Sequence, residues 1–195
     1  DPAFVGVPTD ALIADDYLTL RAQMINPTYD MGTVRPGDPV RKRADAGTPM
    51  ADDAEVAGTA HMSIVDGDGN ALAMTTSVGL AFGSRIFVDG FILTDQMSDF
   101  AVRPDDNGAK QVNRVEPGKR PRSSMSPTLV FDRDGRFVAA AGSPGGNLIV
   151  GFVSEVLVAM LDWKMDPQKA AGLPHIVNLN GETRIEKGTA LEGLT

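Results

Sequence analysis

Hydrophobic residues recur along this chain with two different periods, and the change of period divides it. In the first 26 residues the apolar positions return every three or four residues, as at Leu12, Tyr17, Leu20 and Met24. This spacing predicts a helix within residues 1–26, with Thr9 as its candidate N-cap. From 27 to 55 the pattern loses its period, and repeated prolines and glycines indicate a long surface loop or linker.

After Gly58 the pattern alternates as in β-strands. The segment 66–70, Asp-Gly-Asp-Gly-Asn, is a strong turn signal between two alternating stretches. Two further pairs of segments flank short turns: 85–88 with 91–94, and 128–132 with 136–141. Residues 147–161 are almost wholly apolar and long enough for a buried helix, and Asp166-Pro167 begins a short helix that ends at Ala171. Hairpins followed by a buried helix predict a layered α+β domain.

Composition excludes several classes of function. A formal net charge of −8 argues against nucleic acid as a partner, because nucleic-acid binding requires clustered Lys and Arg. The absence of cysteine excludes disulfides and thiolate metal sites, and two histidines without carboxylates in register predict no metal site. No apolar stretch approaches the roughly 20 residues of a membrane span.

The first residues, Asp1-Pro2-Ala3, include neither an initiator Met nor the basic start and apolar core of a signal peptide. We therefore expect the chain to be an interior piece of a longer polypeptide, with any localisation signal outside it.

Thr59 is the first candidate for chemistry. It follows Gly58 at the start of an alternating strand. A threonine hydroxyl is a weak nucleophile that needs a neighbouring base, and a free α-amine on the same residue supplies one. Because Thr59 is internal, this interpretation requires cleavage of the Gly58–Thr59 peptide bond. A plain strand threonine is the alternative.

Three other segments carry candidate groups. Gly145 and Gly146, in Ser-Pro-Gly-Gly before the apolar helix, present adjacent N–H groups suited to an oxyanion, and equally suit a tight turn. The Ser123-Ser124 segment suits a carboxylate or a simple loop, and the 95–100 segment suits an ammonium group or a polar helical turn. Of the histidines, His61 is predicted to be structural, and His175 has no partner in the sequence pattern.

These segments resemble, in order, the motifs of the γ-glutamyltransferase (γ-glutamyltranspeptidase) family of N-terminal-nucleophile hydrolases. The matching stretches are G-T-A-H-M-S-I-V-D-G-D-G-N-A, F-G-S, I-L-T-D-Q-M-S-D-F, G-K-R-P-R-S-S-M-S-P-T and A-G-S-P-G-G. The resemblance covers nearly the whole chain. It implies an αββα sandwich, with 1–58 as the end of the large subunit and the linker to the processing site, and 59–195 as the small-subunit catalytic region.

The resemblance also implies roles for individual residues. Thr59 matches the nucleophile, released by autocatalytic cleavage after Gly58, and Ser77 stands where the family commonly has a threonine that activates it. Gly145 and Gly146 match the oxyanion hole. The remaining matches are substrate-binding residues: Gln96 and Asp99 for the α-amino group, and Ser123 and Ser124 for the α-carboxylate.

The chain departs from the family pattern at several points. Gly79 stands where many members have an asparagine that contacts the substrate amino group, and 101–118 is shorter than the lid-bearing segment of many relatives and has no tyrosine. The large-subunit arginine that binds carboxylate in the family lies outside the chain, and Arg122, beside the serine pair, is the candidate substitute for it.

The resemblance therefore implies γ-glutamyl transfer or hydrolysis, with glutathione as the default substrate, no metal and no organic cofactor. The implied partner is the remainder of the large subunit, and the implied location is periplasmic or secreted. Two alternatives stay open: a non-catalytic member that serves as a binding or structural module, and a related acylase or poly-γ-glutamate hydrolase.

Overall fold

The computed structural model of the chain describes residues 1–43, 57–106 and 108–194. Within these ranges the helices are α1 (Thr9–Leu12), α2 (Asp15–Ala22), α3 (Ile149–Leu161) and α4 (Pro167–Ala171). The longer strands are β1 (Ala57–Val65), β2 (Ala71–Leu80), β7 (Thr128–Phe131) and β8 (Phe137–Ala141). The short strands are β3 (Phe87–Val88), β4 (Phe91–Ile92), β5 (Asp105–Asp106), β6 (Ala109–Lys110), β9 (Ile176–Val177) and β10 (Arg184–Ile185). Single 3₁₀ turns cover Gln96–Asp99, Gly146–Leu148 and Ala190–Leu194.

The described residues fall into two compact units. The first contains 1–43 together with Asn178–Thr183. Its buried centre is Tyr17 on α2, and Gly37 comes so close to the Tyr17 hydroxyl that a Cβ there would overlap it. Asn180 ties 178–183 to this unit, because its side chain exchanges two 2.9 Å hydrogen bonds with the backbone of Val34.

The single helix predicted within residues 1–26 is wrong, because two short helices occupy that region. Ala14 is extended, with ψ 132°, and separates α1 from α2. Asp15 and Asp16 follow it in the first turn of α2, where negative charge is favourable, and the Asp16 carboxylate accepts from the Tyr17 N–H over 2.8 Å. The predicted linker over 27–55 continues beyond residue 43, and its part over 44–55 lies outside the described residues.

The second unit contains 57–177 and 184–194, and its longest element is the antiparallel β1–β2 hairpin. The Asp66 carboxylate closes the turn by accepting from the N–H groups of Asp68 and Asn70. Strand pairing then runs from Val65↔Ala71 to Thr59↔Ser77. The predicted hairpin turn thus sets the register that brings Thr59 opposite a residue 18 positions later.

The other predicted hairpins also form. Strands β3 and β4 join through Asp89 and Gly90, whose φ values of 49° and 93° are those of a tight hairpin turn. Strands β7 and β8 pair from Thr128↔Ala141, and the Asp132 carboxylate closes their turn. Strand β8 lies close to both β1 and β2.

The core of this unit forms around α3. Ile149, Val153 and Ala159 are buried on it, and Ala170 of α4 is fully buried. Burial of a Val or Ile side chain contributes about 1.5–3 kcal/mol. The α4 prediction is confirmed residue for residue, with Asp166 accepting from the N–H groups of Gln168 and Lys169. Antiparallel hairpins with packed helices give the α+β class that the pattern predicted.

Candidate active site

Thr59 lies on β1, half-buried, directly opposite Ser77 of β2. Its hydroxyl donates a hydrogen bond to the Ser77 hydroxyl over 2.9 Å. The two residues are cross-strand partners, so the hairpin register, and not a flexible loop, holds the two hydroxyls together. The structure therefore brings together the two hydroxyl residues that the sequence assigned to nucleophile and activator.

Ser77 uses its whole hydrogen-bonding capacity in this contact region. Its oxygen accepts from Thr59 and from the Gly79 N–H, the latter over 2.9 Å, and its own proton points to the Gly58 carbonyl oxygen at 3.4 Å. A serine hydroxyl has one donor and two acceptor sites, so all three are occupied. The Ser77 hydroxyl thus bridges the Thr59 hydroxyl and the Gly58 carbonyl oxygen.

Gly58 precedes Thr59 inside β1. A Cβ at Gly58 would lie 2.7 Å from the Leu80 carbonyl oxygen and 2.9 Å from that of Gly79. The φ of Gly58 lies outside the left-handed region, so the glycine is not required there for its backbone conformation. Close approach of the end of β2 is the reason that only glycine fits.

Gly145 and Gly146 form a turn between β8 and α3. Their φ values are 138° and 56°, a conformation that residues with a Cβ rarely adopt. The Leu148 N–H closes the turn on the Gly145 carbonyl over 3.1 Å, and the 3₁₀ segment Gly146–Leu148 lies close to β1. The glycine pair therefore sits in a tight turn near the strand that carries Thr59.

Ser123 and Ser124 lie in the extended segment before β7. The Ser124 hydroxyl donates to the Asn147 side-chain oxygen over 3.3 Å, which ties this segment to the glycine turn. The Ser123 hydroxyl accepts from the Met125 N–H over 3.2 Å and is exposed. The sequence analysis did not identify Asn147 as a candidate site residue. Its position directly after Gly146 could have indicated this role.

Gln96 and Asp99 begin and end one 3₁₀ turn. Asp95 joins this turn to the end of β2, because its carboxylate accepts from the Leu80 N–H over 3.0 Å and its N–H donates to the Val78 carbonyl over 3.1 Å. At the other end, the Asn113 amide donates to the Asp99 carbonyl over 2.7 Å. Sequence reasoning identified neither supporting residue.

Gly79 has a conformational role at this junction. Its φ is 87°, and a Cβ there would overlap the Asp95 carboxylate. Gly79, where many family members have asparagine, therefore leaves the space that Asp95 occupies against the end of β2.

The two histidines are both held by partners. His61 Nδ1 lies 2.8 Å from the Thr75 hydroxyl and Nε2 lies 3.0 Å from the Ser63 hydroxyl, as expected for a structural residue. The expectation that His175 has no partner is wrong, since its Nδ1 lies 2.7 Å from Glu155 Oε2. Glu155 is a charged residue within the otherwise apolar helix α3, and this could have indicated in the sequence that it has a buried partner.

The basic residues of the segment Lys119-Arg120-Pro121-Arg122 differ in burial: Lys119 is buried and Arg122 is exposed. The Lys119 ammonium is buried and donates to the Val112 carbonyl over 2.6 Å and to Glu116 over 2.9 Å. Its hydrogen bond, together with the charge of Arg114, lowers the pKa of the Glu116 carboxyl. Lys119 thus stabilises the loop before Ser123, while Arg122 is exposed and donates its N–H to Asn113.

Within the described ranges, three or more metal-ligating side chains do not gather at any one place. No helix in that part of the chain combines the length and apolar character that a membrane span requires.

A family model described as Gamma-glutamyltranspeptidase matches residues 1–193. The chain belongs to this family. The resemblance read from the sequence is therefore confirmed at the level of the family. The candidate site residues of this γ-glutamyltranspeptidase-family chain lie near the ends of β1 and β2, in the Gln96–Asp99 turn and in the segments before α3 and β7.

Relatives support the same assignment. The chain is 37% identical over 185 residues to the glutathione hydrolase proenzyme of Pseudomonas aeruginosa, covering 90% of this chain and 30% of the relative. It is 36% identical over 200 residues to that of Escherichia coli, covering 96% and 32%. It thus spans about a third of the length of the curated relatives it matches.

A crystal structure of a threonine-to-alanine variant of Helicobacter pylori γ-glutamyltranspeptidase is similar to this chain, with a TM-score of 0.59 and 35% identity. The match covers 65% of this chain and 73% of that one. It confirms the α+β fold of the N-terminal-nucleophile hydrolase type.

Proposed function

We propose that the complete protein hydrolyses or transfers γ-glutamyl groups through Thr59, after cleaving its own Gly58–Thr59 bond. The observation that carries the proposal is the 2.9 Å hydrogen bond between the Thr59 and Ser77 hydroxyls, beside the Gly58 carbonyl. It occurs in a chain of the γ-glutamyltranspeptidase family whose relatives are named glutathione hydrolase proenzymes.

In the processing step the Thr59 oxygen attacks the Gly58 carbonyl carbon. The C–N bond breaks, the proton of the attacking hydroxyl passes to the departing nitrogen, and an ester joins Gly58 to the Thr59 side chain. Water hydrolyses this ester to a Gly58 carboxylate and a free Thr59 hydroxyl. Two contacts support this step: Ser77 orients the attacking hydroxyl, and its own proton is directed to the oxygen that gains negative charge.

In turnover the released α-amine of Thr59 is the general base. The hydroxyl attacks the γ-carbonyl carbon of the substrate and its proton passes to the amine, which later protonates the leaving amine. The resulting γ-glutamyl ester is resolved by water or by an acceptor amine. We assign the oxyanion to the N–H groups of the Gly145–Gly146 turn. The base and nucleophile share one residue, so the mechanism requires neither a metal nor an organic cofactor.

We assign substrate recognition to the four polar residues of the neighbouring turns. Ser123 and Ser124 bind the α-carboxylate, and Gln96 and Asp99 bind the α-amino group. The Ser124–Asn147 hydrogen bond supports the first pair, because it couples the carboxylate site to the oxyanion turn. Glutathione is the first substrate to test, since the relatives of Pseudomonas aeruginosa and Escherichia coli are named for its hydrolysis.

The partner implied by this proposal is the rest of the protein's own large subunit. Residues 1–58 form the end of that subunit and 59–195 the catalytic region of the small one. Cleavage after Gly58 then yields a heterodimer.

The test is to express the complete reading frame and determine the masses and N-termini of the mature polypeptides. We expect a new N-terminus at Thr59, followed by turnover of glutathione and of γ-glutamyl-p-nitroanilide. A chain that stays intact across Gly58–Thr59 on long incubation and turns over neither compound contradicts the proposal, and favours a non-catalytic family member.

A further inference from the structure

His175 lies outside the groups assigned to the reaction, yet it is held from three directions. Its Nδ1 lies 2.7 Å from Glu155 Oε2, and because a carboxylate only accepts, Nδ1 donates. Its imidazole stacks on the Phe152 ring, with centroids 4.3 Å apart and planes inclined by 28°. Its backbone N–H donates to the Glu186 carboxylate over 3.1 Å, and its carbonyl accepts from the Glu186 N–H over 2.9 Å.

Phe152 and Glu155 contact the same imidazole from one helix. They are three residues apart on α3 and therefore share a face of it. One fixes the plane of the ring and the other fixes its rotation within that plane. The side chains of His175 and Glu155 are only 24% and 20% exposed, so the pair is shielded from bulk water. The imidazole thus has a single well-defined position against Phe152.

The Phe152 ring, which stacks on His175, also lies against the Gly145–Gly146 turn. A Cβ built on Gly145 would lie 2.8 Å from Phe152 Cε2 and 3.1 Å from its Cδ2, so the backbone of Gly145 abuts the edge of the ring. Gly145 holds a φ of 138°, which neighbouring groups must maintain because glycine itself has little conformational preference. The Phe152 ring therefore packs directly against the backbone of this turn and restricts its conformation.

We infer that His175 is a positioning residue that holds the Gly145–Gly146 turn in place through Phe152, with Glu155 orienting its imidazole. The inference rests on the proposed function, in which this turn supplies the oxyanion donors. His175 itself touches no reacting atom. Without the stack the Phe152 ring is free to turn, and the turn that rests on it loses its fixed conformation.

The test compares His175→Ala with His175→Phe in the complete protein, after confirming that both are processed and folded. We expect His175→Ala to lower kcat for γ-glutamyl-p-nitroanilide about tenfold with little change in KM. Removing one oxyanion donor outright costs about 10²–10³-fold, and here the donors are displaced but present. His175→Phe, which keeps an aromatic stack, should restore kcat to within about threefold of the wild type. Phe131→Leu, at the turn end of the β7–β8 hairpin where the ring meets Phe137 edge-on, is the control for losing an aromatic ring.

Amide hydrogen exchange in the peptide that spans 143–148 is a readout independent of activity. We expect faster exchange in His175→Ala than in the wild type, and wild-type exchange in His175→Phe. The inference is overturned if His175→Ala matches the wild type in both readouts, or if His175→Phe is as impaired as His175→Ala. A wild-type protein without γ-glutamyl turnover contradicts the proposed function alone, and the exchange data still decide whether His175 holds the turn.

Discussion

The hydroxyl of Thr59 donates to that of Ser77 over 2.9 Å, across the pairing of β1 with β2. Both residues are on strands, so their separation is set by the ladder of backbone hydrogen bonds on either side. A reacting group held in this way needs little reorganisation before it attacks, and this is the main advantage of building a site on rigid elements.

Replacing Thr59 with alanine removes the proposed nucleophile. We expect Thr59→Ala to abolish cleavage after Gly58 and to lower turnover of γ-glutamyl-p-nitroanilide by about 10³-fold or more. The fraction of cleaved chain is measured by mass spectrometry and turnover by absorbance. Thr19→Ala, at an exposed position of α2, is the matched control and should behave as the wild type. Activity that survives in Thr59→Ala means that another group is the nucleophile.

Ser77 is the test of the activating contact. Ser77→Ala leaves the Thr59 hydroxyl and the Gly79 N–H without their common partner. We expect processing and turnover to slow on the order of 10²-fold, the cost of misplacing a reacting group by about 1 Å. Ser77→Thr keeps the hydroxyl and should retain most activity. Ser63→Ala removes a hydroxyl elsewhere on the same hairpin and is the control; equal rates in Ser77→Ala and Ser63→Ala contradict the assignment.

Gly79 is predicted to be intolerant of any side chain. Gly79→Ala places a Cβ on the Asp95 carboxylate and forces alanine to a φ of 87°. We expect the free energy of unfolding to fall by roughly 1–3 kcal/mol. Gly67→Ala is the matched control, because nothing lies within 4 Å of a Cβ there and its φ is outside the left-handed region. Urea denaturation measures the free energy of unfolding of Gly79→Ala and of Gly67→Ala. Equal midpoints for the two variants would show that the contact between residue 79 and Asp95 rearranges without loss of stability.

Asp132 gives a prediction about pH. Hydrogen bonds from the Arg136 N–H and then from the Arg136 side chain lower the pKa of its carboxyl in the folded state. A carboxyl with a lowered folded pKa adds stability above its unfolded pKa of about 3.9, and this stability is lost as the pH falls through the folded value. Asp132→Asn should therefore be less stable than the wild type at pH 7, with a smaller difference at pH 3.

Urea midpoints at the two pH values measure this effect. Asp89→Asn, in the turn between β3 and β4, controls for the loss of one charge in a turn, since asparagine also tolerates its positive φ. A difference between Asp132→Asn and the wild type that is the same at pH 3 and pH 7 contradicts the assignment.

The chain of residues 1–195 is expected to be inactive by itself. It spans about a third of the length of its curated relatives, and under the proposed function the remainder of the large subunit completes the site. We expect no measurable hydrolysis of γ-glutamyl-p-nitroanilide by the isolated chain, under conditions in which the complete protein is active. Turnover by the isolated chain at the rate of the complete protein would show that all essential groups lie within 1–195.

The sequence by itself determined the hairpins, the start of α4 and the order of the family motifs. The turn at 66–70 and the cap at Asp166 depend on aspartate side chains that accept hydrogen bonds from backbone N–H groups within four residues. The local sequence is therefore sufficient to predict them. The first helix failed as a prediction because its apolar spacing continues through Ala14, where the backbone is extended.

Only the tertiary structure decided which distant groups meet. Asp95 against Gly79, Asn147 on Ser124 and Glu155 on His175 join residues 16 to 23 positions apart. No local pattern encodes these pairs, because each depends on how strands and helices pack after they form. Thr59 and Ser77 lie between the two cases, since a turn that the sequence predicts sets their register, and the folded hairpin sets the direction and length of the hydrogen bond between them.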